Sequence, residues 1–253
     1  TPYYLCYLSI PKWRSQRYSK DPFSSPSVFR HLRFMIELNA DIPFLWRLSP
    51  ESSEGYCSVS LVVPRPPENE VPDLTIETTV LSLASDSMRS EQEETLEWNE
   101  EDISLFLRLL SQKKPKVEFE SVPEEGRTLR VDLSDPDVIE IIHIVAAAGF
   151  GVAFTSTGLL RSPSALLPAY RFDIGSKASL NTIVGFKQAI VVDVDDDDVV
   201  CVLTEEIDVQ AIDSAADEYD KLLPNDLLLV QRADILHADY SESREIPSAA
   251  VLH

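Results

Sequence analysis

The sequence predicts an α+β fold, with a β-rich antiparallel N-terminal half followed by a mixed α/β C-terminal half. Three observations carry this. In the first part of the chain, apolar residues recur at strand period and prolines close the runs. From Asn99 onward, three stretches have helical spacing behind good capping residues. Short β-branched runs separate those stretches. The division places a β-rich part at residues 1–113 and an α/β part at 114–253, which can also form one continuous domain.

Residues 3–10, aromatic and apolar, open as a strand. In residues 31–38, Leu32, Phe34, Ile36 and Leu38 fall on one face, opposite Arg33 and Glu37. A helix opened by Ser25-Pro26-Ser27 would group Phe29, Leu32, Arg33 and Ile36 nearly as well; the strand is preferred. Residues 42–48, 56–63 and 74–83 complete the expected sheet, and Pro64, Pro66 and Pro67 end one strand. Residues 84–98, rich in Ser and Glu, read as an exposed loop.

Asn99 is a good N-cap, and Glu100, Glu101 and Asp102 complement the dipole of the first turn. The stripe Ile103, Phe106, Leu107, Leu110 follows, with Lys113, Lys114 and Lys116 at or beyond the helix end. A second helix opens at Ser134-Asp135-Pro136 and is apolar almost all round from 138 to 148, so it should be buried, with Gly149 as its C-terminal cap. A third is expected over 208–223, with Ile212, Ala215, Ala216, Tyr219 and Leu222 inward and Pro224 ending it. Strands are expected at 117–119, 128–133, 152–154, 170–174, 189–194 and 199–203.

The 253 residues are 44% hydrophobic, enough for a real core. Seven glycines against 17 prolines disfavour folds built on glycine-rich phosphate loops. Cys6, Cys57 and Cys201 lie far apart among apolar neighbours, and no CxxC pair or Cys/His cluster occurs. Buried, unpaired thiols are expected. With no charged leader before an apolar run, a cytoplasmic or nuclear location is expected rather than secretion. Residues 141–160 are apolar enough to raise a membrane span. His143, the pair Gly149 and Gly151, and Thr155-Ser156-Thr157 fit a helix ending and a strand starting better, so no membrane contact is expected.

The net charge of −21 opposes direct contact with nucleic acid or anionic lipid. The charge is unevenly spread. Residues 1–50 hold seven Lys/Arg against three Asp/Glu, and residues 51–253 hold fifteen against forty.

Two segments could carry chemistry. Asp193, Asp195, Asp196, Asp197 and Asp198 follow an apolar strand, and Asp193, Asp195 and Asp196 are the candidate ligands for Mg²⁺ or Ca²⁺. Paired aspartates so placed also resemble the first motif of haloacid-dehalogenase-like phosphatases and the DxD motif of nucleotide-sugar transferases. The phosphatase resemblance implies Asp193 as nucleophile and Asp195 as acid/base. It covers only these residues, with Asp197 where that family has a hydroxyl and a strand where it has a helix. An acidic hairpin turn is the plainer reading, and no resident cofactor is expected. The other segment holds Lys12, Trp13, Arg14, Arg17, Tyr18 and Lys20, a basic stretch with aromatics that can contact phosphates and stack on bases. The opposing field of the whole chain favours instead a strap on acidic protein surface, within the chain or on a second copy of it.

His31, His143, His237 and His253 sit beside no other ligand or nucleophile, and His143 is expected as a hydrogen-bonded core histidine. No GxSxG or GxxxxGK[ST] occurs. The expected function is non-enzymatic: an acidic binding module, acting as adaptor, assembly subunit or inhibitor toward a basic protein partner, with self-association also open. The alternative is a divalent-metal-dependent hydrolase or transferase centred on Asp193 and Asp195.

Overall fold

A computed structural model describes residues 35–38, 44–52, 56–64, 73–80, 92–113, 129–161, 171–208 and 221–239. The chain is α+β, rich in antiparallel sheet in its first part and built on a mixed sheet in its second. It divides into two compact units, Thr1–Val152 and Ala153–His253.

In the first unit, β1 (Met35–Leu38) pairs antiparallel with β6 (Leu129–Asp132). The strands β2 (Leu45–Leu48), β3 (Val59–Val63), β4 (Leu74–Glu77) and β5 (Glu94–Glu97) form an antiparallel sheet in the order β4-β3-β2-β5. Period-two alternation sets its faces. Phe44, Trp46 and Leu48 on β2 are buried in step with Val59, Leu61 and Val63 on β3. Two helices complete the unit: α1 (Glu100–Lys113) and α2 (Pro136–Phe150), which pack on each other, with α2 also touching β3. Lys113, in the last turn of α1, pairs with Glu140 and with Asp137 (3.5 Å) on α2.

Both helices begin as their sequences predict. The Asp102 N–H donates to Asn99 Oδ1 (2.8 Å), and the Asn99 N–H donates back to Asp102 Oδ2 (3.2 Å), a reciprocal capping box. Asp135 caps α2 by accepting from the Asp137 N–H (2.9 Å), with Pro136 in the first turn. The inner face of α1 differs from expectation. Asp102, Leu105, Phe106, Leu109 and Leu110 are buried, while Ile103 and Leu107 face outward. The reason is Asp102, whose carboxylate also accepts the Trp46 indole N–H (3.1 Å) and turns that side of the helix to the sheet. Gly149 is not the cap of α2: the helix runs on to Phe150, and Gly151 ends it in extended conformation. The segment that raised a membrane span is this helix followed by a strand, and no helix among the described residues is long and apolar enough to cross a membrane.

In the second unit, β7 (Ala153–Thr155), β8 (Lys177–Thr182), β9 (Gly185–Asp195), β10 (Asp198–Leu203), β13 (Leu227–Gln231) and β14 (Ile235–His237) form one sheet in the order β14-β8-β9-β10-β13-β7. Only the β13–β7 pair is parallel. Leu160 bridges back to Thr182, with the Arg161 N–H bonded to Asn181 O (2.7 Å), so the sheet curls toward closure. One face carries the core: Phe154, Leu180, Val191, Cys201, Leu228 and Ile235 among others. Ile190, Val202 and Leu236 on the opposite face are buried as well, which is why β9 reads as an unbroken apolar run rather than an alternation.

Several expectations change. Asp208 and Lys221–Leu222, the ends of the expected third helix, are strand residues: β11 (Ile207–Asp208) pairs with β12 (Lys221–Leu222). The segment between them lies outside the described residues, as do the expected strands at 3–10 and 117–119. The end of the expected 84–98 loop is β5, held by β2. Residues 171–174 are irregular instead of a strand, and β8, β13 and β14 were not anticipated.

Ile141 and Ile142 on α2 are both fully enclosed. Ile141→Ala and Ile142→Ala are each expected to cost about 2–5 kcal/mol, by lost transfer energy plus a residual cavity. Urea denaturation checks this through a lowered midpoint.

Candidate functional site

The acidic run lies at the β9–β10 hairpin. Asp195 pairs with Asp198, and Asp196 and Asp197 form the two-residue turn. Asp196 has φ of 48°, a left-handed conformation that aspartate tolerates better than most side chains. The carboxylates of Asp195, Asp196, Asp197 and Asp198 are all exposed, and among the described residues none has a cationic partner.

A β-bulge decides where Asp193 points. Val200 pairs with Asp193, but Cys201 pairs with Val191, so Val192 is an extra residue in β9. Without it, Asp193 would continue the inward row of Ala189 and Val191. The bulge shifts the phase, sending Val194 to the core and Asp193 to the half-exposed outer row. There Asp193 Oδ1 accepts the Val194 N–H (2.8 Å). The three candidate metal ligands, Asp193, Asp195 and Asp196, thus share one hairpin. Among the described residues, no group of three or more His, Cys, Asp or Glu side chains is arranged to hold a metal ion.

A second acidic surface lies at β5, a segment whose sequence alone reads as loop and so does not reveal it. Glu93, Glu94 and Glu97 on and beside β5 and Glu100 and Glu101 in the first turn of α1 are all exposed. Arg47 reaches Glu93 at 3.6 Å, an exposed pair worth little in stability. Leu96 on the same strand is 40% exposed. The signal that could have found it is the Thr95-Leu96 pair amid glutamates, directly before a strong N-cap.

The perturbed titratable groups in the unit interiors read as structural. Burial pushes the Asp102 carboxyl above its ordinary 3.8, outweighing the Asn99 and Trp46 hydrogen bonds; the neighbouring Glu101 adds to the rise. Burial lowers His143, against a smaller upward pull from Glu140. Its Nδ1 accepts the Thr79 N–H (3.2 Å), which requires the neutral ring. The Cys201 thiol, enclosed in the second core, is pushed up to about 12 and so stays protonated and unreactive. Cys57 is likewise buried. Trp98 stacks on Trp46 (centroids 5.0 Å apart, 24° between planes), and its buried Nε1 has no partner among the described residues. His237 lies at the surface beside Asp239 (3.2 Å).

Lys12, Trp13, Arg14, Arg17, Tyr18 and Lys20 lie outside the described residues, as do Cys6, His31 and His253. No protein-family model matches this chain, and no curated protein matches it with significant similarity.

Two predictions follow from these environments. The raised folded-state value of Asp102 means that the folded protein holds the proton more tightly than the unfolded chain. Its contribution to stability is therefore fully present below pH 3.8 and is lost as pH rises through the elevated value. Urea denaturation of wild type and Asp102→Asn across that window should show the wild type losing ground relative to the variant with rising pH. At the hairpin, Asp196→Gly removes left-handed strain and one crowded charge, and should stabilise the fold by up to about 1 kcal/mol. A thermal melt reads this as a raised Tm.

Proposed function

We propose that the chain is a non-enzymatic binding module, an adaptor, assembly subunit or inhibitor, that presents an acidic surface to a basic protein partner in a cytoplasmic or nuclear setting. The observation that carries this reading is the row Asp195–Asp198, four exposed carboxylates with no cation to offset them among the described residues. Like charges so crowded repel, and in water the repulsion persists over roughly a Debye length. A basic partner relieves that repulsion on docking, which speeds encounter and selects against acidic competitors. The same field repels nucleic acid, so contact with nucleic acid would run through the partner.

Capture from lysate tests this with the wild-type chain and a variant carrying Asn at positions 195 to 198. Basic proteins should bind the wild type at about 0.1 M salt, leave it near about 1 M, and bind the variant several-fold less. A bound set no more basic than the lysate, or one indifferent to salt, defeats the reading. A rise in Tm with Ca²⁺ or Mg²⁺ that is lost in Asp193→Asn/Asp195→Asn would place cation chemistry at the hairpin instead.

A further inference from the structure

The backbone of β5 offers unused hydrogen-bonding groups, and the ladder phase says which they are. The Ser49 N–H donates to Ser58 O (2.9 Å), and the register then pairs Arg47 with Ser60 and Leu45 with Val62. Odd-numbered residues of β2 therefore bond to β3. The Trp98 N–H donates to Phe44 O (3.0 Å), and the register continues through Trp46–Leu96 and Leu48–Glu94. Even-numbered residues of β2 therefore bond to β5. Because bonded and non-bonded pairs alternate along an antiparallel ladder, the N–H and C=O of Thr95 and Glu97 point away from β2. They point to a sheet edge where no described strand lies, and all four residues of β5 are exposed.

Natural sheets defend such an edge with proline, a bulge, lysine or a covering segment. β5 has no proline and no lysine, and its register with β2 is unbroken. Its defence is charge of one sign, from Glu93, Glu94 and Glu97. That defence works against a second copy of this chain, which would bring its own glutamates opposite these. Against a basic strand it becomes attraction. Leu96, on the sheet face that buries Trp46, adds an exposed apolar contact at the same edge.

We propose that the open edge of β5 takes up an extended basic segment of the protein partner as an added strand. The segment's backbone would bond to Thr95 and Glu97, and its Lys or Arg side chains would meet the glutamates. This rests on the reading of the chain as an acidic binding module and gives that reading a docking mode.

The probe is a short peptide alternating lysine with valine, compared with the same sequence N-methylated at alternate amides, which keeps the charge but cannot pair as a strand. Binding to the full chain is followed by fluorescence anisotropy of labelled peptide. The plain peptide should bind at least about 5-fold more tightly than the methylated one, since the latter forfeits backbone bonds. Thr95→Pro deletes an N–H that β2 does not use, so the fold should melt unchanged while binding of the plain peptide weakens by about 5- to 10-fold. The variant with Asn at 195 to 198 should keep the preference for the plain peptide. Equal binding of the two peptides to the wild type overturns strand addition and leaves the acidic-module reading standing. No binding of either also overturns it, and the module reading then stands or falls on the lysate capture. A wild-type dimer that Thr95→Pro dissociates would make a second copy the occupant and likewise overturn the proposal.

Discussion

Asp102 joins two segments that lie 56 residues apart, accepting the Trp46 indole N–H from β2 and the Asn99 N–H at the start of its own helix. A carboxylate buried in this way needs its hydrogen bonds, because leaving either donor or acceptor unsatisfied would cost the full desolvation penalty. Those bonds fix three things at once. They cap α1, they set its rotation so that Phe106 meets Phe44 and Trp98 edge-on, and they hold the junction where β5 turns into the helix. The outward placing of Ile103 and Leu107 follows from the same rotation. The alignment of β5 on β2 leads straight into that junction through the Trp98–Phe44 bond, so the open edge is held by the buried carboxylate one turn away.

Several of the described cations are committed. Lys113 ties α1 to α2, Lys187 pairs with Glu205 (3.5 Å), and Lys221 pairs with Glu206 (2.6 Å) beside the β11–β12 ribbon. Exposed carboxylates crowd at the hairpin turn, and others line β5. Neither place gains stability from its charge, since like charges at short range repel. The cores beneath are apolar and tightly enclosed.

The elements legible in the sequence were those whose signal is local. Asn99 and Asp135 announced their helices because a cap depends on residues within one turn. The run of β3 was readable because apolar residues fill it up to the closing Pro64, and β2 because its burial alternates residue by residue. The acidic run was legible as a turn for the same local reason. What failed depends on distant partners. The face of α1 was misread because a buried aspartate outranked the apolar stripe, which no periodicity can reveal. β5 has four exposed residues and looks like loop until β2 is placed beside it. At the ends of the helix expected across 208–223, Asp208 and Lys221–Leu222 are strand residues instead, because Ile207 and Leu222 are cross-strand neighbours in the second core; the residues between lie outside those described. The phase shift at Val192 was equally hidden, because four consecutive apolar residues carry no period.

The stacked indoles of Trp46 and Trp98 have an optical consequence. Two transition dipoles whose rings are centred 5.0 Å apart interact strongly enough to split their absorption into a circular-dichroism couplet. The chain has three tryptophans, at 13, 46 and 98, and none falls within Ala153–His253. The couplet therefore belongs to the first unit alone and vanishes when β2 and the end of β5 part. The second unit, a curled sheet without an indole, adds nothing to the couplet, so the couplet reports the first unit while the amide signal reports both.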